Sequence, residues 1–193
     1  MTFPIFPVTE NPFSQLWRNK LKEHVATIEV AGDKEAMGNF DKVELSGTER
    51  ERALAAIQEQ IAAWGLTMPA VQPLPLHFGL NRFEEIGETE FWVANEEQHG
   101  YCGKFLFVFD GQTCPYHHHR IKHETFFVLK GSIRMKLENE QRVMRQGEVL
   151  SMPPGTGHSF TGLGPALVLE VSMPSISEDS FFTDRNIGDN GVI

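Results

Sequence analysis

Apolar positions in the first third of the chain recur every three or four residues, the spacing that lays one stripe along a helix. Asn11 and Pro12 supply an N-cap and a first-turn proline, and Phe13, Leu16, Trp17, Leu21 and Val25 follow as the stripe. A second helix is predicted to open at Thr48, with Glu51 as its capping-box partner. Leu54, Ile57, Ile61 and Trp64 form its stripe, and Gly65 is placed to end it. Both stripes read as surfaces that pack against a main domain. The three prolines of LTMPAVQPLPLHFG, residues 66–79, predict a connector.

Beyond that connector the pattern changes to short β-branched or aromatic runs separated by glycine-bearing turns: TEFWVAN, KFLFVF, ETFFVLK, SIRMKL, EVLSM and ALVLEVSM. Strands at this spacing predict a mainly-β sandwich or barrel. In SIRMKL, Ile133, Met135 and Leu137 face one way and Arg134 and Lys136 the other. Phe105, Phe107 and Phe109 share the face opposite Lys104, Leu106 and Val108, and the phenylalanine face is expected to lie away from any central cavity. FFTD, residues 181–184, is expected to dock back onto the body. The division predicted is a helical segment over residues 1–75 packed on a β-domain over 76–193.

Composition narrows the function classes. The 193 residues carry a net charge of −9, which disfavours nucleic acid and anionic membrane surfaces as partners. Two cysteines, Cys102 and Cys114, make no disulfide framework and suit a reducing compartment. MTFPIFPVTENPF has no charged leader region, and no apolar run approaches the ~20 residues of a membrane span, so a cytoplasmic protein is expected.

Candidate chemistry concentrates in GQTCPYHHHRIKHETFFVLKG, residues 111–131. His117 and His119 are two apart and share a face on an extended chain. Glu124 has the parity of Phe126 and Val128, so a return strand can aim it inward with them. Two imidazoles and a carboxylate converging on one point suit a divalent ion with open positions, and His158, after the turn at Pro153-Pro154-Gly155, offers a fourth ligand. His118 and His123 have the opposite parity and read as ordinary surface or core histidines. Such a set suits Mn²⁺, Fe²⁺, Co²⁺, Ni²⁺ or Zn²⁺, with manganese the first expectation.

These residues carry a resemblance. Gly111, His117-x-His119, Glu124 and Gly131 match the first motif of the cupin superfamily, and Gly147, Pro153-x-Gly155 and His158 match the second; Gly162 stands where that motif ends in asparagine. The resemblance implies a cupin-type antiparallel β-barrel (double-stranded β-helix) with His117, His119, Glu124 and His158 on one metal ion, often in a homodimer. YCGK, GQTCPYHHH, KHETF, PPGTGHSF, LEVS and FFTD further resemble the D-lyxose isomerase family of cupins, over roughly residues 80–188. That resemblance implies a metal-dependent aldose–ketose isomerase.

Such a reaction needs a base between adjacent carbons and donors to their oxygens. Glu170 shares parity with Ala166, Val168 and Ser172, and a carboxylate among small core residues is costly unless used or paired. It is the base candidate. Lys104 and Lys122 match lysines of the family pattern and are candidates to stabilise an enediolate. Arg134 and Arg142 read as solvated. No glycine-rich phosphate cradle or arginine cluster occurs, which favours a free sugar such as D-lyxose/D-xylulose or D-mannose/D-fructose. Two alternatives stay open: another metal-dependent cupin enzyme (a dioxygenase, or a lyase on a small acid using Tyr116 beside His117), and a non-catalytic sugar-binding cupin.

Overall fold

The computed structural model describes residues 42–193, and the helix expected over residues 11–25 lies outside the described residues. Helix α1 (Gly47–Ala63) starts one residue before the expected Thr48. Ser46 takes the N-cap position with extended backbone, and no side chain caps the helix, so the Thr48–Glu51 box is not formed. Arg50 anchors the first turn instead, reaching Glu44 at 3.2 Å and the Pro73 carbonyl at 2.9 Å. At the other end Gly65 adopts a φ of 66° and donates its N–H to Ala62, the left-handed termination glycine allows.

Eleven strands follow among the described residues: β1 (Leu74–Leu76), β2 (Glu88–Glu96), β3 (Tyr101–Val108), β4 (Thr113–His119), β5 (Glu124–Lys130), β6 (Ser132–Leu137), β7 (Glu140–Arg145), β8 (Val149–Met152), β9 (His158–Gly162), β10 (Ala166–Ser172) and β11 (Ser180–Phe182). They form two antiparallel sheets, ordered β1-β2-β3-β10-β5-β8 and β11-β4-β9-β6-β7. The proline-rich connector is therefore not wholly irregular. Leu74–Leu76 adds an edge strand to β2, and Pro75 is tolerated there because an edge strand leaves one row of N–H groups unpaired. The expected boundary between residues 75 and 76 falls inside this strand.

The interior between the sheets is filled by Leu106, Val108, Phe126, Val128, Ile133, Met135, Phe160 and Val168. Helix α1 covers the outer side of the larger sheet, where Ile57 and Ile61 meet Phe91, Phe107 and Leu167, flanked by Trp64, Phe105 and Phe109. The phenylalanine face of β3 thus lies under the helix and Leu106 and Val108 face the barrel interior, as the alternation predicts. Residues 88–91 of β2, 106–108 of β3 and 166–168 of β10 are buried whichever way they point, so both faces of the sheet are covered there. Gly162 closes β9 beside β3; a Cβ at that position would collide with the Phe109 carbonyl, which accounts for glycine in place of the motif's asparagine. Among the described residues no helix is long and apolar enough to cross a membrane.

Candidate metal centre

The smaller sheet brings three histidines together by register. β4 and β9 place His117 opposite His158, and His119 follows His117 on the same inward face of β4. All three are buried, and a ligand nitrogen of each lies within 4.8 Å of the other two. Each ring is oriented by a backbone carbonyl, which can only accept a hydrogen bond. His117 Nδ1 donates to Pro115 O at 2.8 Å, His119 Nδ1 to Asp179 O at 2.9 Å and His158 Nδ1 to Thr156 O at 3.0 Å. A proton therefore sits on each Nδ1, which leaves Nε2 as the atom each ring turns toward its neighbours. Burial holds the imidazoles of His117 and His158 below the ordinary histidine range, so both are neutral near pH 7.

Glu124 closes the group from the larger sheet. Its Oε1 lies 3.3 Å from His119 Nε2 and its Oε2 lies 3.3 Å from His158 Nε2. Burial opposes the charged form of Glu124, but the Lys122 ammonium and the two imidazoles outweigh it and hold the carboxyl well below the usual range. The carboxylate thus faces the unprotonated Nε2 of His158 and the Nε2 of His119, and both nitrogens lack a hydrogen-bond partner. Lone pairs on anion and imidazole repel unless a cation lies between them. Three imidazoles and one carboxylate are also a donor set that first-row divalent ions accept. The residues fit a metal ion.

Behind Glu124 runs a buried chain of ion pairs. Lys122 Nζ reaches Glu124 Oε1 at 2.8 Å and Glu170 Oε1 at 3.3 Å. Glu170 Oε1 also accepts from Ser172 Oγ at 2.9 Å, and its Oε2 lies 3.4 Å from Lys104 Nζ. Lys104 makes its shorter contact with Glu90 Oε1, 2.6 Å away. Burial alone would depress both ammoniums; Glu170 and the other surrounding carboxylates outweigh it and hold both lysines above their ordinary range. Both lysines are cationic at neutral pH. Glu88 ends the row beside Cys114, its carboxyl pushed up to about 8 by burial and by Glu90, hence protonated near pH 7.

The structure gathers Glu170, Lys104 and Lys122 next to the histidines and sends the remaining candidates elsewhere. His118 stacks on Phe181 on the outer side of β4, and His123 meets Ser151 at the barrel rim. Tyr116 turns away from His117: its ring packs on Gly157 with the Lys136 ammonium 4.9 Å from its centre. It does not face the cluster, which removes the support it gave to a lyase. Cys102 and Cys114 are buried free thiols.

Sequence reasoning passed over Glu88, Glu90 and Asp179. Asp179 is buried, and its carboxylate accepts from the N–H groups of Arg120 (3.0 Å), Ile121 (3.2 Å) and Lys122 (3.0 Å). It thereby fixes the loop between β4 and β5 while its own carbonyl orients His119. Ser175 is clamped nearby, its N–H and C=O both bonded to the Asn95 side chain at 2.9 Å. A recess lined by His119, Lys122, Ser175, Ile176, Asp179 and Ser180 borders the cluster.

Comparison with known proteins agrees with this architecture. A family model described as a cupin domain matches residues 105–172. A D-lyxose ketol-isomerase of a Thermofilum species is 33% identical over 139 residues, covering 57% of this chain and 76% of that one. The D-lyxose ketol-isomerase of Cohnella laeviribosi is 30% identical over 178 residues, covering 74% of this chain and 94% of that one. Among solved structures, Cellulomonas parahominis L-ribose isomerase with L-ribose superposes with a TM-score of 0.62 at 16% identity, over 77% of this chain and 97% of that one, a likeness of fold. The chain belongs to the D-lyxose isomerase-like family of the cupin superfamily, a family of sugar isomerases.

Proposed function

We propose that the protein is a metal-dependent aldose–ketose isomerase acting on a small free sugar, of the D-lyxose/D-xylulose or D-mannose/D-fructose kind, by proton transfer through an enediol. The observation that carries this reading is the carboxylate of Glu124 facing two unpartnered imidazole nitrogens, with Lys122 bridging it to a second buried carboxylate, Glu170. His117, His119, Glu124 and His158 hold one divalent ion, with manganese the first choice. Bound there, the ion supplies Lewis acidity toward the adjacent carbonyl and hydroxyl oxygens of the sugar.

The chain's own residues do the rest. Glu170 removes the proton from the carbon beside the carbonyl and returns it to the neighbouring carbon, while Lys122 gives a proton to the carbonyl oxygen and takes back the one released by the neighbouring hydroxyl. Lys122, cationic and 3.3 Å from Glu170, donates toward the developing enediolate oxygen. Lys104 holds the far oxygen of Glu170 and keeps that carboxylate aimed. The recess beside His119 and Lys122 is the side from which the sugar reaches them. The proposal extends to a cytoplasmic homodimer, supported for compartment by the two free buried thiols.

Incubation with D-lyxose, D-mannose, D-xylulose and D-fructose in the presence of Mn²⁺, with products separated by chromatography, tests the reaction. Interconversion within one of these pairs, lost on chelation and restored by Mn²⁺, is the expected result. No turnover of any of them by Mn²⁺-loaded protein overturns the reading.

A further inference from the structure

Glu90 is the most costly buried group that the proposed reaction does not use. It is 4% exposed, lies on β2 two strands away from Glu170, and has both oxygens engaged. Oε1 accepts from Lys104 Nζ at 2.6 Å and Oε2 from Trp92 Nε1 at 2.7 Å. The same Trp92 presents its ring to the Lys104 ammonium, 5.1 Å from ring centre to Nζ. Lys104 sits on β3 directly opposite Glu170 on β10 and Trp92 on β2. The ammonium could therefore have been held by Glu170 alone. It lies instead 0.8 Å closer to Glu90 (2.6 against 3.4 Å). Two lysines, Lys104 and Lys122, serve the carboxyl groups of three glutamates, Glu90, Glu124 and Glu170.

Resting on the isomerase reading, we propose that Glu90 is a positioning residue that acts through Lys104. Together with Trp92 it draws the ammonium off Glu170, so that the base is aimed by Lys104 without being captured by it. A buried carboxylate held in a full ion pair is a weak proton acceptor; one that shares its cation with a competitor is a stronger one. The groups that face Lys104 are Glu88 and Glu90 from β2, Glu170 from β10 and Cys102 on its own strand. Among them Glu90 makes the shortest contact and Glu88 is protonated near pH 7, so Glu90 sets the balance.

The test uses the Mn²⁺-loaded protein and the variants Glu90→Gln, Trp92→Phe, Lys104→Met and Glu90→Gln/Lys104→Met. Glu90→Gln should keep its Mn²⁺ and change KM less than about threefold while kcat falls roughly 10- to 100-fold, within the range of positioned acid–base groups. Trp92→Phe keeps an aromatic ring but removes the N–H donor to Glu90 and part of the face presented to Lys104, so it should shift kcat the same way by a smaller factor; it also serves if Glu90→Gln does not fold. The double variant should be no slower than Lys104→Met alone, the non-additivity expected of residues acting through one another.

A readout independent of turnover, taken on protein loaded with diamagnetic Zn²⁺, is the ¹⁵N resonance of the Lys104 ammonium, assigned by its loss in Lys104→Met and expected to move in Glu90→Gln. Wild-type kcat in both Glu90→Gln and Trp92→Phe, or a double variant slower than Lys104→Met by the full Glu90 factor, overturns the proposal. An unmoved Lys104 resonance in Glu90→Gln does so as well. If the parent turns over no sugar while that resonance still moves, the isomerase reading fails and the Glu90–Lys104 linkage stands.

Discussion

Glu170 is held on both oxygens by Lys104, Lys122 and Ser172, and its proposed role separates cleanly from metal binding. Glu170→Gln should leave Mn²⁺ content intact, because the amide fills the same volume and no ligand is lost. Its turnover should fall by a factor of roughly 10² to 10⁴. Elemental analysis beside initial rates checks both halves, and near-normal rates with full occupancy would make Glu170 a structural carboxylate. His119→Ala should lose activity through lost metal and recover part of it in excess Mn²⁺. At this scale parity made the ligand set readable: alternate positions on β4 and β5 must face one way, and the histidines and Glu124 do. The same rule is silent at Glu90. Read as an ordinary half-buried strand, β2 would put Phe91 inward and the glutamates in water. Only the helix over its outer face reveals that both sides are covered.

Among the elements, the strand runs beyond residue 79 announced themselves by composition, whereas β1 hid behind two prolines and β7 behind four polar or charged residues in six. The position of α1 was legible as an apolar stripe, but not its start, since the side-chain cap that the motif suggested does not form. Phe107 joins this helix to the sheet; it is fully buried, with Phe109 at 5.0 Å and Trp64 at 6.0 Å between ring centres. Phe107→Ala should cost about 3–5 kcal/mol, the usual range for truncating a core aromatic. Because Phe107 points away from the barrel interior, Mn²⁺ content of the folded fraction should be unchanged; denaturant melts with metal analysis check the pair of expectations. The loop from β4 to β5 depends on a distant element, since Asp179 gathers its three N–H groups and orients His119. Asp179→Ala keeps the carbonyl that orients His119 but removes the acceptor of the three loop N–H groups, so it should weaken Mn²⁺ binding by less than the roughly 10- to 100-fold that follows loss of a direct outer-shell partner. Competitive titration against a chelating dye measures it, and unchanged affinity would mean the loop holds itself.

For the whole molecule, the buried acid row links folding to pH. Glu88 has its pKa raised from 4.5 to about 8, so between those values the folded chain keeps a proton that the unfolded chain has released. Stability from this group therefore falls as pH rises through that window. Glu88→Gln imitates the protonated side chain and should remove this dependence. Its melting temperature, compared with the parent's in Mn²⁺-free buffer, should gain ground between pH 5 and pH 9, and a constant difference would refute the assignment. Added Mn²⁺ should raise the parent's melting temperature, by an amount equivalent to about 2.7 kcal/mol at a hundredfold excess over its dissociation constant.

The order in which the chain is made adds a constraint of its own. His117, His119 and Glu124 leave the ribosome together, but the carbonyl that turns His119, the carboxylate that gathers the loop after it, and Phe182 stacked on His117 come about sixty residues later. At about 5–20 residues per second, the interval from Glu124 to Phe182 is roughly 3–12 s. During it two histidines and an acid are exposed without the partners that give them shape. Capture of the ion is therefore a late event in biogenesis, and a nascent chain stalled before residue 170 should retain Mn²⁺ poorly even though most of the motif has already been synthesised.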